Sequence, residues 1–190
     1  MNSIPPANRR FLVDVDEVLA DLRGPVLKTM TEVTGVQYKL SDFSGWDYFE
    51  ILTEEEREKV FSLMNVEGYC ASLAVHPGAQ DAIETLRSMV SVIVVTGSHP
   101  GPFWIKERDY WLNKNFGFDP RREVIYTQAK YAVAGRWFLE DRPSQVIEWA
   151  YGNPCNVPML WDTENTHGMG YDHLRVYSWE EVIAKVKAGL

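Results

Sequence analysis

The chain has 190 residues, 45% of them hydrophobic and 24% charged. These are the proportions of one globular domain, or of a core domain with a small insertion, and they exclude a collagenous, low-complexity or disordered protein. A formal net charge of -8 weighs against a nucleic-acid polymer as the main partner, because such binding runs on clustered Lys and Arg, yet leaves room for a small phosphorylated molecule held by a few local cations.

In chain order, Met1 to Arg10 lacks the apolar segment of a secretory signal. Phe11-Leu12-Val13 then forms a short apolar run that ends abruptly at Asp14. From about 22 to 76 no strand pattern is evident. Val26, Leu27, Met30 and Val33 mark one helix there, and Val60, Phe61 and Met64 another, opened by the capping-box pair Thr53 and Glu56. Between them lies the aromatic segment Phe43 to Phe49, read as a loop.

Pro77-Gly78 opens a helix with Ala82, Ile83, Leu86 and Met89 on one face. The β-branched run Val90 to Val95, broken by Ser91, ends at Thr96-Gly97-Ser98; it is the longest apolar stretch and far short of a membrane span. A helix with Trp104, Ile105, Trp111 and Leu112 on its face follows, then an apolar run over 123–127. The run over 136–139 leads into Glu140-Asp141, a helix carries Val146, Ile147, Ala150 and Tyr151, and a further run covers 156–161. Ser178 and Glu181 form a second capping box, ahead of Val182, Ile183 and Val186. Five apolar runs alternating with helices predict an α/β fold with an open parallel sheet. Cys70 and Cys155, the two cysteines, match no zinc or redox spacing, and a reduced, cytoplasmic setting is expected.

Ligands of such sheets collect beyond the carboxyl ends of the strands, and the residues there are chemically complementary. Asp14 and Asp16, two apart in extended chain, project to one side. Two such carboxylates can bind a hard cation through oxygen, or divide the work of nucleophile and acid/base. A turn with two solvated aspartates is the bland alternative. Thr96-Gly97-Ser98 offers hydroxyls and backbone NH groups to an oxyanion, against the plain loop that Pro100, Gly101 and Pro102 suggest. Lys130 can hold negative charge between carboxylates and a phosphate, or be a solvated surface lysine. Glu140-Asp141 returns carboxylates to the same edge. No P-loop or dinucleotide-binding glycine pattern is present.

Taken in order, Asp14-Val15-Asp16-Glu17-Val18, Thr96, Lys130 and Glu140-Asp141 resemble the four motifs of the haloacid dehalogenase-like (HAD) phosphatases. The stretches over 11–22, 67–86, 94–98, 127–130 and 138–143, with the Tyr110-Trp111 region, are similar to the small 5'(3')-deoxyribonucleotidases. The resemblance implies a Rossmann-like HAD core over 1–21 and 77–190, with a central parallel sheet flanked by helices, and a small helical cap over 22–76 inserted after the first strand. It implies hydrolysis of a nucleoside monophosphate through an aspartyl-phosphate, with Mg²⁺ as cofactor. Asp14 would be the nucleophile and Asp16 the acid/base, with Thr96 and Lys130 stabilising the phosphoryl group. The metal would be held by Asp14, the backbone carbonyl of Asp16 and Asp141, with Glu140 orienting a metal-bound water. Gly97, Ser98, Trp46, Tyr48 and Arg142 would contact substrate, with Phe49 a further aromatic face. For Trp46, Tyr48 and Phe49 a plain packing role stands beside that reading, as does a surface ion pair for Arg142. A homodimer is plausible by the same resemblance.

Three departures are visible. Glu17 stands where many relatives have Gly, Leu22 where some nucleotidases have a base-packing Phe, and Gly97 where some have Ser. Glu17 and Leu22 leave open a phosphatase for a sugar phosphate or other small ester; a non-catalytic binding protein of the same fold is a third reading, against which all four motif positions carry usable side chains.

Overall fold

The computed structural model describes residues 6–43, 47–153, 156–163 and 170–190. Six parallel strands form the main sheet: β1 (Arg10–Val13), β4 (Ser91–Thr96), β5 (Val124–Tyr126), β6 (Trp137–Glu140), β7 (Val157–Trp161) and β8 (Arg175–Val176). They lie in the order β5-β4-β1-β6-β7-β8. The first five occupy the five apolar runs, and β8 is an addition two residues long. A strand so short carries no alternation for a sequence pattern to register.

β1 sits at the centre, with Val13 opposite Val94 of β4 and Leu139 of β6. Its Phe11, Leu12 and Val13 have no solvent exposure. Successive side chains of a strand point to opposite faces, and the packing follows. Phe11 and Val13 join the large core that contains residues of α3 (Ala79–Arg87), α4 (Trp104–Phe116) and α6 (Trp179–Ala188). Leu12 joins Val95, Phe138 and Trp149 on the other face, under α5 (Pro143–Gly152). A central strand buried on both faces must be apolar throughout, and each such side chain contributes ~1.5–3 kcal/mol on burial. The polarity therefore changes where the strand ends.

Two short strands, β2 (Ala20–Asp21) and β3 (Ala74–Val75), pair antiparallel. The second corrects the reading that 22–76 contains no strand; two residues are again too few to show a period. Between them α1 (Arg23–Thr34) and α2 (Glu54–Met64) pack on one another. α1 stops at Gly35, whose φ of 75° lies in the left-handed region. α2 starts with the expected capping box: Glu56 N–H donates to Thr53 Oγ1 and Thr53 N–H to Glu56 Oε2. At α6 Ser178 caps as expected, but the Glu181 carboxylate accepts from Tyr177 N–H.

Two helix faces differ from their expected composition. On α4, Ile105 is exposed and the buried positions include Glu107 and Arg108 beside Trp104, Trp111 and Leu112. On α5, Tyr151 is exposed and Trp149 is buried in its place. Among the described residues, no helix is long and apolar enough to cross a membrane.

Candidate active site

Parallel register brings the carboxyl ends of β1, β4 and β6 side by side, with the segment after β5 next to them. A cleft opens there, lined by Asp14, Asp16, Thr96, Gly97, Ser98, Lys130, Glu140, Asp141 and Arg142, with Tyr48 and Phe49. These are the site residues anticipated above, apart from Trp46, which lies outside the described residues.

Asp14 continues β1, its N–H donating to the Leu139 carbonyl at 3.0 Å, and its side chain is buried. Lys130, at the start of a short helical turn after β5, is buried with its Nζ 2.7 Å from Asp14 Oδ1 and 2.5 Å from Glu140 Oε2. Burial works against the ammonium, but the Asp14 and Glu140 charges outweigh it and hold Lys130 above the ordinary lysine range. Burial also pushes Glu140 well up, with the Asp14 and Asp141 charges adding and Lys130 opposing.

The carboxylates of Asp14, Glu140 and Asp141 are all buried, with one oxygen of each within 4.8 Å of the others. Lys130 pairs with two of them, Asp14 and Glu140, and Arg23 Nη2 lies 4.0 Å from Asp141 Oδ2. Hard, anionic oxygens crowded in a buried site suit a hard divalent cation. The Asp16 carboxylate stands outside this group. Its Oδ1 accepts from Arg108 Nη2 at 2.5 Å, so its expected place at a metal concerns its backbone carbonyl. Burial pushes Asp16 above the usual carboxylate range, opposed by Arg108 and reinforced by Asp14.

Glu17 adopts a φ of 62°, the left-handed conformation for which Gly is the usual solution. Its carboxylate turns toward the start of α1. Oε1 accepts from Leu22 N–H at 3.0 Å and Arg23 N–H at 2.6 Å, and Oε2 pairs with Arg23 Nη2 at 3.1 Å. Burial raises Glu17 to about 7 against the pull of Arg23. The Gly-to-Glu departure is thus matched by a buried arginine six residues on.

The Gly97 departure has a counterpart too. A Cβ at Gly97 would lie 2.8 Å from Gln128 Nε2, so the Gln128 side chain occupies the space that a side chain at position 97 needs. Thr96 is buried at the end of β4. Arg142 keeps its backbone N–H on Glu140 Oε1 and its Nε on Ser144 Oγ while lining the cleft.

From the segment between β2 and β3, Tyr48 and Phe49 continue an aromatic chain through Phe61 and His99 to Trp104, with neighbouring centroids 4.9–5.3 Å apart. Among the described residues, Trp104 Nε1 and both ring nitrogens of His99 are buried without a hydrogen-bond partner. Burial holds His99 below the usual histidine range.

Sequence reasoning missed Arg23, His99, Arg108 and Gln128. Of these, Arg108 left a trace: it sits at i+4 from Trp104 and i-3 from Trp111, on the apolar side of its helix. The others lie in loops or at a helix start, where no period marks them.

The family model described as "5' nucleotidase, deoxy (Pyrimidine), cytosolic type C protein" matches residues 8–188. A 5'(3')-deoxyribonucleotidase of Clostridium acetobutylicum is 24% identical over 131 residues, 69% of this chain and 72% of that protein. The mitochondrial 5'(3')-deoxyribonucleotidase of Homo sapiens is 28% identical over 142 residues, 70% of this chain and 62% of that protein. Among solved structures, a HAD family hydrolase from Deinococcus radiodurans with bound phosphate and sodium superposes with a TM-score of 0.62 at 15% identity, covering 96% of each chain. That last likeness speaks for the fold.

Proposed function

The chain belongs to the 5' nucleotidase, deoxy (pyrimidine), cytosolic type C family, and from that premise we propose that it is a Mg²⁺-dependent 5'(3')-deoxyribonucleotidase working through an aspartyl-phosphate on Asp14. At the coarser level it is a phosphoric monoester hydrolase of the 5'-nucleotidase type, built on the HAD fold. The observation that carries the proposal is the meeting of Asp14, Lys130, Glu140 and Asp141 at one dry strand edge, beside the hydroxyl and NH groups of Thr96 to Ser98.

An oxygen of Asp14 attacks the phosphorus in line and the ester oxygen departs, splitting one difficult displacement into two easier ones. Asp16 gives its proton to the departing oxygen and takes one back from the water that hydrolyses the aspartyl-phosphate. Lys130, Thr96 and the NH groups around Gly97 and Ser98 stabilise the equatorial oxygens. An anionic nucleophile meets a dianion at a cost of ~4 kcal/mol per charge pair at ~4 Å and an effective dielectric of about 20. Mg²⁺, held by Asp14, Asp141 and the Asp16 carbonyl with Glu140 beside them, supplies the neutralising charge when bound.

The segment 22–76 acts as the cap that selects the leaving group. Its Tyr48 and Phe49, continued by His99 and Trp104, give the cleft an aromatic side suited to a planar base. The proposed setting is the cytoplasm, and the partner a small phosphorylated substrate. The test is phosphate release from deoxy- and ribonucleoside monophosphates and sugar phosphates, with Mg²⁺ and with EDTA. Metal-dependent release favouring deoxynucleotides is expected. Release from sugar phosphates alone would overturn the nucleotide assignment while keeping the chemistry.

A further inference from the structure

α4 carries into the interior a charge that its own packing does not require. Arg108 is fully buried, its guanidinium carbon 5.3 Å from the Trp104 ring and 5.7 Å from the Trp111 ring. Among the described residues its Nε and Nη1 have no partner in hydrogen-bond geometry. Its Nη2 reaches across 92 positions of sequence to Asp16 Oδ1. The buried Cys70 thiol is another polar neighbour. Taking a guanidinium out of water costs several kcal/mol, and one carboxylate contact repays that incompletely. An apolar side chain of similar length between two tryptophans would serve stability as well. The residue is explained better by what it holds.

We propose that Arg108 is the positioning residue of the acid/base: by gripping Oδ1 of Asp16 it fixes the carboxylate with its other oxygen toward the bridging oxygen of the substrate ester. This rests on the role given to Asp16 above. The grip comes from a fixed base. The neighbouring Glu107 accepts from Gly68 N–H at 2.5 Å and Ala71 N–H at 3.1 Å, and Trp111 Nε1 donates to the Leu73 carbonyl at 2.7 Å. α4 is thereby tied to the chain returning from α2 on both sides of Arg108. Among the described residues Arg108 is the one hydrogen-bond donor to the Asp16 carboxylate, whose side chain is 28% exposed, and without Arg108 it can swing toward water.

The consequence is specific to one proton transfer. As the Asp14–phosphorus bond forms and the ester P–O bond breaks, the Asp16 proton passes to the departing oxygen. As water then bonds to phosphorus, its proton returns to Asp16 and the Asp14–phosphorus bond breaks, releasing inorganic phosphate. An alkoxide leaving group needs that proton, whereas a nitrophenolate departs without it. Misplacing the acid therefore penalises a deoxynucleoside 5'-monophosphate far more than p-nitrophenyl phosphate.

The test compares the wild type with R108M, R108K, D16N and the double variant D16N/R108M, in Mg²⁺. R108M should lower kcat on the deoxynucleotide by about 10- to 100-fold with KM changed by less than about threefold. The single-turnover burst of p-nitrophenol should fall at least about tenfold less. R108K should recover part of the loss, and the double variant should be no slower than D16N, since both changes remove one function. Equal losses on the two esters, additive losses in the double variant, or a fully active R108M would overturn the proposal. Should R108M not fold, as read by circular dichroism, R108Q gives the same comparison. A wild type inert toward every ester would sink the phosphatase mechanism itself, and Arg108's role with it.

Discussion

Replacing Glu17 by Gly sets two effects of opposite sign against each other. Glycine relieves a left-handed backbone at φ 62°, worth ~1–2 kcal/mol for a residue with a side chain. The same change deletes a carboxylate that accepts two backbone N–H groups and pairs with Arg23 at 3.1 Å, both side chains being 10% exposed or less. Removing one partner of a buried pair costs about 3–5 kcal/mol, because the other charge is left behind. The loss wins by ~1–4 kcal/mol, and for a chain of this length each kcal/mol lowers the melting temperature by ~2–4 °C. Glu17→Gly should therefore melt about 2–16 °C below wild type in EDTA, followed by circular dichroism. A second effect appears at the metal. Freed from Glu17, the Arg23 guanidinium can close its 4.0 Å separation from Asp141 Oδ2 and compete with the cation there, so the Mg²⁺ needed for half-maximal activity should rise. A Glu17→Gly protein as stable as wild type or more so, with unchanged Mg²⁺ dependence, would refute this reasoning and leave the carboxylate as a strained ornament.

Other outcomes follow from the same geometry. Asp14→Asn should lower kcat by more than ~10⁴-fold while raising the melting temperature in EDTA, since it removes one of three crowded carboxylates; measurable turnover near wild type would exclude Asp14 as nucleophile. Lys130→Met strands Asp14 and Glu140 and should cost about 3–5 kcal/mol in EDTA, read as a lower urea midpoint, with Mg²⁺ restoring part of it. His76 and His99 are both held below the usual histidine range by burial, Asp21 partly opposing at His76. Below about pH 6.5 the unfolded chain takes up protons that the folded one does not, so these groups make stability fall as pH drops. The urea midpoint of a His76→Gln/His99→Gln variant should decline less between pH 7 and 5.5 than that of the wild type, and equal slopes would dismiss the effect.

How far the sequence discloses this molecule depends on whether a feature is local. β1 and β4 could be read because a strand buried on both faces must be apolar along its length, and the helix faces because their period is 3.6 residues. Three of the four motif segments were legible because each follows such a strand directly; Lys130 lies four residues beyond β5, whose residues are only partly buried. Arg23 and Gln128 were not, because their roles exist only through partners: Arg23 through the unusual backbone of Glu17, Gln128 through the missing side chain of Gly97. Ile105 and Tyr151 were misplaced on buried faces for the converse reason. Hydrophobicity argued for burial there, but the helix orientation that puts Arg108 and Trp149 inside turns them to solvent.

The distribution of charge argues that the site, and not the fold, sets these exceptions. Asp14, Glu17, Arg23, Arg108, Lys130, Glu140 and Asp141 are all buried, and all meet through ion pairs or close carboxylates at one end of the sheet. Ion pairs in such places add little to stability over apolar packing of the same shape. A chain selected for stability alone would fill this end largely with residues like Phe11 and Val13, although Glu107 and Arg175 show that buried charges also occur elsewhere. Instead the charges lie in layers around the proposed reacting atoms: Lys130 and Asp141 beside Asp14, Glu140 beside Lys130, Arg108 on Asp16, and Arg23 with Glu17 behind Asp141. Neutralising the outer members by isosteres, Glu17→Gln with Arg23→Met, should leave the fold near wild-type stability yet lower turnover, because the inner carboxylates would then be held less firmly where the phosphate must arrive. If that pair of changes lowered stability by several kcal/mol and left kcat untouched, the outer charges would be structural, and the functional shell would end at the residues touching the cleft.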